Sequence, residues 1–130
     1  MSARTGKQYV EGLRDDRVVW LGNQKVDVAT HPAFAGSVAG MAGYFDWQNQ
    51  HADECLVPDP QTGKPMSASL IVPRNADDLR RRRTAFERFA HYSEGMLGRT
   101  PDYVNVTLAG FVARSDIFTS KGDTGFAERL

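Results

Sequence analysis

The sequence predicts a mainly α-helical domain with small β-hairpins, an α+β fold class. Three long segments carry helical spacing or helix caps, and two shorter ones place turn residues between β-branched, aromatic or other strand-forming residues. At 130 residues, the chain has the length of a single domain with one modest core. The hydrophobic share of 41% and the charged share of 25% are ordinary for a globular protein.

A short helix and a hairpin are predicted at the start of the chain. Thr5 and Gln8 have the spacing of a capping box, and Tyr9 and Leu13 repeat at helical spacing. Residues 18–26 read VVWLGNQKV, in which a strand-forming run is followed by Gly-Asn turn chemistry and a return strand. We therefore expect a helix after Thr5 and a hairpin over 18–26.

A glycine-containing helix is predicted after the break at Thr30-His31-Pro32. Spacings of four, three and four indicate its buried face, formed by Phe34, Val38, Met41 and Phe45. Gly36, Gly40 and Gly43 lie on another side and lower helix propensity. We expect another backbone to pack closely against these glycines.

The middle of the chain predicts a second strand pair and a long helix. Asp59-Pro60 and Thr62-Gly63 mark a turn, and a strand over 67–72 is expected to pair back on residues 55–57. Asn75 is a candidate N-cap for a helix that runs to about Gly95. Its predicted buried stripe consists of Leu79, Phe86, Phe89, Ala90 and Ser93. The arginines at 80–83 point nearly all the way round a helix, which favours a solvated face.

A further helix is predicted from Pro101 to about Arg114, with Thr100 as its N-cap and Asp102 in its first turn. Its predicted buried stripe consists of Val104, Leu108, Phe111 and Val112. A smaller, more polar stripe, suited to lining a pocket, consists of Tyr103, Thr107, Gly110 and Arg114. The closing stretch, 122–130, reads as a loop and a helix that has barely begun, which points to a fragment.

Arg99 and Tyr103 are the candidate site residues. Arg99 precedes the cap, so its guanidinium can reach over the positive helix end towards the phenol of Tyr103. Such a corner suits an anion or a developing oxyanion. The alternative is an Arg99–Asp102 surface pair with Tyr103 packed in the core, and local physics alone slightly favours it.

Composition excludes several functional classes. Lys+Arg and Asp+Glu are 16 each, and zero net charge argues against generic nucleic-acid binding. No apolar run predicts a membrane span, and the start lacks a signal peptide. Cys55 is the single cysteine, which suits a reducing, cytoplasmic compartment. Residues 51–55, HADEC, lack a second ligand pair at zinc spacing, so we predict a polar loop leading into a strand and no metal site.

Four segments, in order, carry a resemblance to a known family: RTGKQYVEGLRDDRVVWLGNQKV, VATHPAF, DPQTGKPMSASLIVPRNADDLRRRR and GMLGRTPDYVN. Together they resemble the N-terminal region of the oxygenase component of 4-hydroxyphenylacetate 3-monooxygenase and related reduced-flavin-dependent phenol hydroxylases. The similarity runs from about Arg4 to the C-terminus, and THPAF and GRTPDY are its most specific parts.

The resemblance implies an acyl-CoA-dehydrogenase-like architecture of three domains assembled as a homotetramer. Residues 1–130 would be the helical N-terminal domain, without the β middle domain and the C-terminal helical bundle. An iron–sulfur dehydratase branch of the superfamily is not supported, because Cys55 is the only cysteine.

The resemblance also implies an activity and a site. Reduced FAD, delivered by a separate flavin reductase, would react with O₂ to a flavin C4a-hydroperoxide that hydroxylates a 4-hydroxyphenylacetate-like phenol ortho to its hydroxyl. The arginine and tyrosine of the family's GR-x-PDY motif hydrogen-bond the phenolic hydroxyl, and they correspond to Arg99 and Tyr103. A third contact, a histidine, is expected beyond Leu130, as are most flavin contacts, so the 130 residues alone are expected to be inactive. The alternative hypothesis is a stand-alone, non-catalytic module that binds a small molecule or a protein.

Overall fold

The structure, a computed structural model, describes residues 3–96 and 100–119. Within these residues the fold is mainly helical with two separate two-stranded antiparallel sheets, as predicted. The helices are α1 (Gly6–Glu11), α2 (Ala35–Gln50), α3 (Ala52–Cys55), α4 (Ala76–Ser93), α5 (Pro101–Ala113) and α6 (Asp116–Thr119). The strands are β1 (Val19–Leu21), β2 (Gln24–Val26), β3 (Leu56–Pro58) and β4 (Pro65–Ser67). None of the helices in these ranges has the length and apolar character needed to cross a bilayer.

The capping box at the start of α1 is confirmed. The Gln8 amide donates to Thr5 Oγ1 at 3.2 Å, and the Thr5 amide donates to Gln8 Oε1 at 2.8 Å. The helix packs on α2, where the Gly6 amide donates to Asp46 Oδ1 at 2.8 Å. A Cβ atom at Gly6 would overlap the Ala42 carbonyl oxygen, so a glycine is needed for this approach of α1 to α2.

Both strand pairs are confirmed, with one change of boundary. Val19 pairs with Val26 across the first hairpin, and Gly22 supplies the positive φ of +61° that its turn requires. In the second pair Leu56 faces Ser67, but the strand ends there, and residues 68–70 form a 3₁₀ turn instead of the predicted strand over 67–72. The reason is local: the Ser67 hydroxyl accepts from the Ser69 amide and caps that turn.

Helix α2 packs differently from the prediction at its glycines. Gly36 and Gly40 have open space where a Cβ would be, so no backbone among residues 3–96 and 100–119 packs against them, contrary to the prediction. At Gly43 the close neighbour is the side chain of Tyr92, whose O–H donates to the Gly40 carbonyl at 2.8 Å. Among the described contacts of these three glycines, the missing side chain of Gly43 makes room for Tyr92 of α4.

The core lies between α2, α4 and the segment around β3. Tyr44 is fully buried, and its ring centroid lies 4.7 Å from that of Phe89. The other buried members of this cluster are Phe45, Cys55, Val57, Ala68 and Ala85. Residues 52–55 form the short helix α3, which corrects the predicted polar loop.

The cap of α4 is confirmed, whereas its predicted buried stripe is only partly correct. The Asp78 amide donates to Asn75 Oδ1 at 2.9 Å. Phe89 is buried, but Leu79 is 56% exposed and Ala90 is exposed. At about 100° per residue, Leu79 lies about 120° round the helix from the buried Ala85, outside the face that meets α2 and α3. The arginines at 80, 81 and 83 are exposed, as expected for a solvated face.

An ion pair joins α3 to α4 and predicts a pH dependence. Arg88 Nη2 donates to Glu54 Oε1 at 2.9 Å, and Arg88 Nε donates to Oε2. These hydrogen bonds lower the pKa of Glu54 from its usual value of 4.5. Because the pKa is lower in the folded state, the pair stabilises the fold above pH 4.5 and this contribution is lost as pH falls through the lowered pKa of Glu54.

We expect Glu54→Gln to reduce the dependence of the free energy of unfolding on pH in the acid range. Urea unfolding between about pH 6 and pH 3 measures this, and the change is small because both side chains keep contact with solvent. Glu87→Gln is the control, since Glu87 pairs with Arg83 on the exposed side of α4 itself. If the free energy of unfolding of Glu54→Gln fell with pH as it does in wild type, the stabilising role of the Glu54–Arg88 ion pair would be contradicted.

Candidate functional site at the start of helix α5

Helix α5 begins as the sequence predicts. Thr100 has extended backbone angles (φ −71°, ψ 157°), Pro101 occupies the first helical turn, and Asp102 is its first-turn acid. The Thr100 side chain makes no capping hydrogen bond, although it is buried. The first turn of α5 is therefore held by something other than a standard N-cap.

The buried face of α5 is not the predicted one. Its four predicted core residues, Val104, Leu108, Phe111 and Val112, are all exposed. The helix instead packs on the 3₁₀ turn at 68–70 through a face that includes Asn105 and the buried Ala109. Asn105 Nδ2 donates to Ser69 Oγ at 2.9 Å, and the small side chain of Ala109 permits close approach. The inner side of α5 is thus defined by Asn105, whose side-chain amide is hydrogen-bonded, and by Ala109. The larger apolar residues face outwards.

Tyr103 lies on the outer side of the first turn. It is 67% exposed, so among the described residues it does not pack in the core, contrary to that part of the alternative. The rest of its predicted stripe, Thr107, Gly110 and Arg114, is exposed as well. Arg114 is turned to Asp116, to which it donates two hydrogen bonds of 2.9 Å. The other candidate site residue, Arg99, lies outside the described residues.

Two buried polar groups lie beneath the same turn. Tyr44 is 0% exposed, and its hydroxyl has no hydrogen-bond partner among the described residues. Asp102 Oδ1 is also buried and unpartnered there. Burial raises the pKa of Tyr44 far above its ordinary value, and the charge of Asp102 adds to this. Sequence reasoning missed Tyr44, which lies one position from the apolar stripe assigned to α2.

A cavity of about 180 Å³ separates α2 from the start of α5. Its walls include Tyr44, Gln48, Pro101 and Asn105. Gln48 is 2% exposed. The inner side of α5 thus includes the polar side chains of Asp102 and Asn105, whereas Val104 and Leu108 are exposed on its outer side.

The described ranges contain no cluster of three or more His, Cys, Asp or Glu side chains placed to hold a metal ion. His51 Nδ1 instead lies 3.0 Å from the Trp47 carbonyl. Burial raises the pKa of the Cys55 thiol to about 11, so it stays protonated and packs in the core.

Residues 5–130 match the family described as 4-hydroxyphenylacetate 3-hydroxylase N terminal. The chain belongs to this family. It is 38% identical over 130 residues to the 4-hydroxyphenylacetate 3-monooxygenase oxygenase component of Geobacillus sp. (strain PA-9), covering 98% of this chain and 26% of that protein. It is 36% identical to the protein of the same name from Thermus thermophilus, covering 89% of this chain and 24% of the relative.

A solved structure agrees with the fold. The oxygenase component of 4-hydroxyphenylacetate 3-monooxygenase, crystallised with FAD and 4-hydroxyphenylacetate, matches with a TM-score of 0.85 and 32% identity. The match covers 98% of this chain and 28% of that one. The chain therefore spans about a quarter of the length of the relatives that it matches.

Proposed function

We propose that residues 1–130 act as the N-terminal domain of a two-component, reduced-FAD-dependent aromatic hydroxylase. Membership of the family, over residues 5–130, is the observation that carries this proposal. The proposal includes the acyl-CoA-dehydrogenase-like architecture, with a β middle domain and a C-terminal helical bundle from the remainder of the polypeptide. The named relatives are oxygenase components, so a separate flavin reductase is the proposed partner.

Arg99 and Tyr103 are proposed to bind the hydroxyl of a phenolic substrate. The exposed phenol of Tyr103 stands on the first turn of α5, where the helix dipole favours negative charge. A guanidinium from Arg99 would add a donor that stays charged at all working pH values. Together these groups would stabilise the charge that develops on the phenol oxygen as its ring becomes more nucleophilic.

The outer face of α5 fits one side of such a site. Val104, which follows Tyr103 in the chain, is exposed, as is Leu108 one turn later, and an apolar helical surface suits the packing of an aromatic ring. When bound, reduced FAD would supply the activated oxygen from O₂. The task left to this chain is to hold the phenol ring and to tune the charge on its oxygen. A cytoplasmic homotetramer is the proposed form of the complete protein.

Activity of the complete natural polypeptide tests the proposal. It would be combined with a flavin reductase, NADH and FAD, and given 4-hydroxyphenylacetate, simple phenols and halogenated phenols. Catechol formation that depends on the reductase is the expected result, and residues 1–130 alone are expected to give none. Absence of a hydroxylated product with every phenol would refute the proposal and favour the non-catalytic binding module.

A further inference from the structure

The start of α5 is held through contacts on its inner side. The Thr100 side chain does not cap it, yet this turn carries Tyr103 outwards and Asp102 inwards. One turn later, Asn105 is tied to Ser69 by the 2.9 Å hydrogen bond. A second inner contact, at Asp102 itself, would further fix the orientation of the first turn.

Tyr44 is placed to make that contact. Tyr44 and Pro101 line the same cavity, so the Tyr44 hydroxyl lies close to the start of α5. The Tyr44 hydroxyl and Asp102 Oδ1 are both buried without a partner in the described structure. An unpaired buried donor and an unpaired buried carboxylate are each costly, and a phenol O–H is a good donor to a carboxylate.

We infer that Tyr44 is a positioning residue: its O–H donates to the Asp102 carboxylate and fixes the first turn of α5, with Tyr103 facing outwards. The substrate role of this contact rests on the proposed function. Consecutive helical residues are separated by about 100°, so an anchored Asp102 sets the direction of the Tyr103 phenol. Loss of the anchor lets the turn rotate, and small misplacements of a substrate contact reduce rates strongly.

The test uses kinetics of the complete enzyme with 4-hydroxyphenylacetate. Tyr44→Phe keeps the ring and removes only the hydroxyl, and we expect kcat/KM to fall about 10-fold. Asp102→Ala, which removes the acceptor, is expected to give a similar fall. Because both changes break one contact, the double variant is expected to lose about 10-fold and not 100-fold.

Tyr92→Phe is the matched control. It removes another interhelical tyrosine hydroxyl, the donor to the Gly40 carbonyl, but this one lies away from α5. It is expected to weaken folding while leaving kcat/KM within about 2-fold of wild type. A purely structural role for Tyr44 would give the same result in Tyr44→Phe as in Tyr92→Phe, and that outcome would overturn the inference.

Equilibrium unfolding separates this inference from the proposed function. The same Tyr44 and Asp102 variants form a double-mutant cycle in urea, which requires no activity. We expect the two changes to be coupled by about 10-fold in the unfolding equilibrium constant. An inactive wild type with a coupled cycle would refute the proposed function and retain the contact, whereas additive changes in unfolding would refute the contact itself.

Discussion

Replacing Tyr103 with phenylalanine is expected to lower kcat/KM of the complete enzyme for 4-hydroxyphenylacetate about 100-fold. The hydroxyl is a proposed donor to the phenol oxygen, and its loss removes stabilisation of the charge that develops there. Since Tyr103 is 67% exposed in this domain, the change should leave the free energy of unfolding of the 130 residues within about 0.5 kcal/mol of wild type. Activity and stability are therefore expected to separate.

Tyr9→Phe provides a control of the same chemistry. The Tyr9 ring packs on that of Phe45, with centroids 5.3 Å apart, and phenylalanine keeps this contact. Its kcat/KM should match that of wild type. Arg99→Ala is expected to resemble Tyr103→Phe, with a loss of about 100-fold. Wild-type kcat/KM in both Arg99→Ala and Tyr103→Phe would contradict the proposal that these residues bind the phenol hydroxyl. It would not affect membership of the family.

Local elements of the fold were predictable because nearby residues determine them. Three predicted features depend only on residues within four positions of each other. They are the capping box of Thr5 and Gln8, the N-cap of α4 at Asn75 and the start of α5 at Pro101. The Gly22 turn likewise depends on one backbone conformation that glycine adopts without cost. Such features need no knowledge of what lies across the core.

The choice of buried face on α5 was not predictable from periodicity. Val104 and Leu108 form a clear apolar stripe, yet Ala109 and Asn105 pack inwards. A periodic pattern locates an apolar face but does not say which neighbour covers it. Here a hydrogen bond to Ser69, 36 residues earlier, fixes the orientation, and no local signal encodes that pairing.

In the candidate site, too, residues set by local spacing were predicted, whereas a residue that depends on distant contacts was not. Residue spacing placed Tyr103 and Asp102 in the first turn, and resemblance to a family supplied the role proposed for Tyr103. Tyr44 was missed because its importance depends on a cavity that it shares with the start of α5, which is far away in sequence. A tyrosine beside an apolar stripe is typical of an ordinary core position, so the sequence carried no distinguishing signal.

Phe89→Ala is expected to destabilise the domain by about 3–5 kcal/mol, the largest stability effect that we predict. Phe89 is 2% exposed, and its ring lies against Tyr44 at the centre of the core. Truncation removes the transfer free energy of a phenyl ring and leaves a cavity between α2 and α4. Because a domain of this size has a total stability of about 5–15 kcal/mol, much of it would be lost. Urea unfolding followed by circular dichroism measures the change.

Leu79→Ala, on the same helix, is the control that separates burial from hydrophobicity. Both substitutions remove a large apolar side chain from α4, but Leu79 is 56% exposed. Its loss should cost less than about 1 kcal/mol, since little area is returned to water. Equal losses in the two variants would mean that α4 is buried through the stripe containing Leu79, contrary to the packing described above. A large loss in Phe89→Ala alone would place the core between Tyr44 and Phe89.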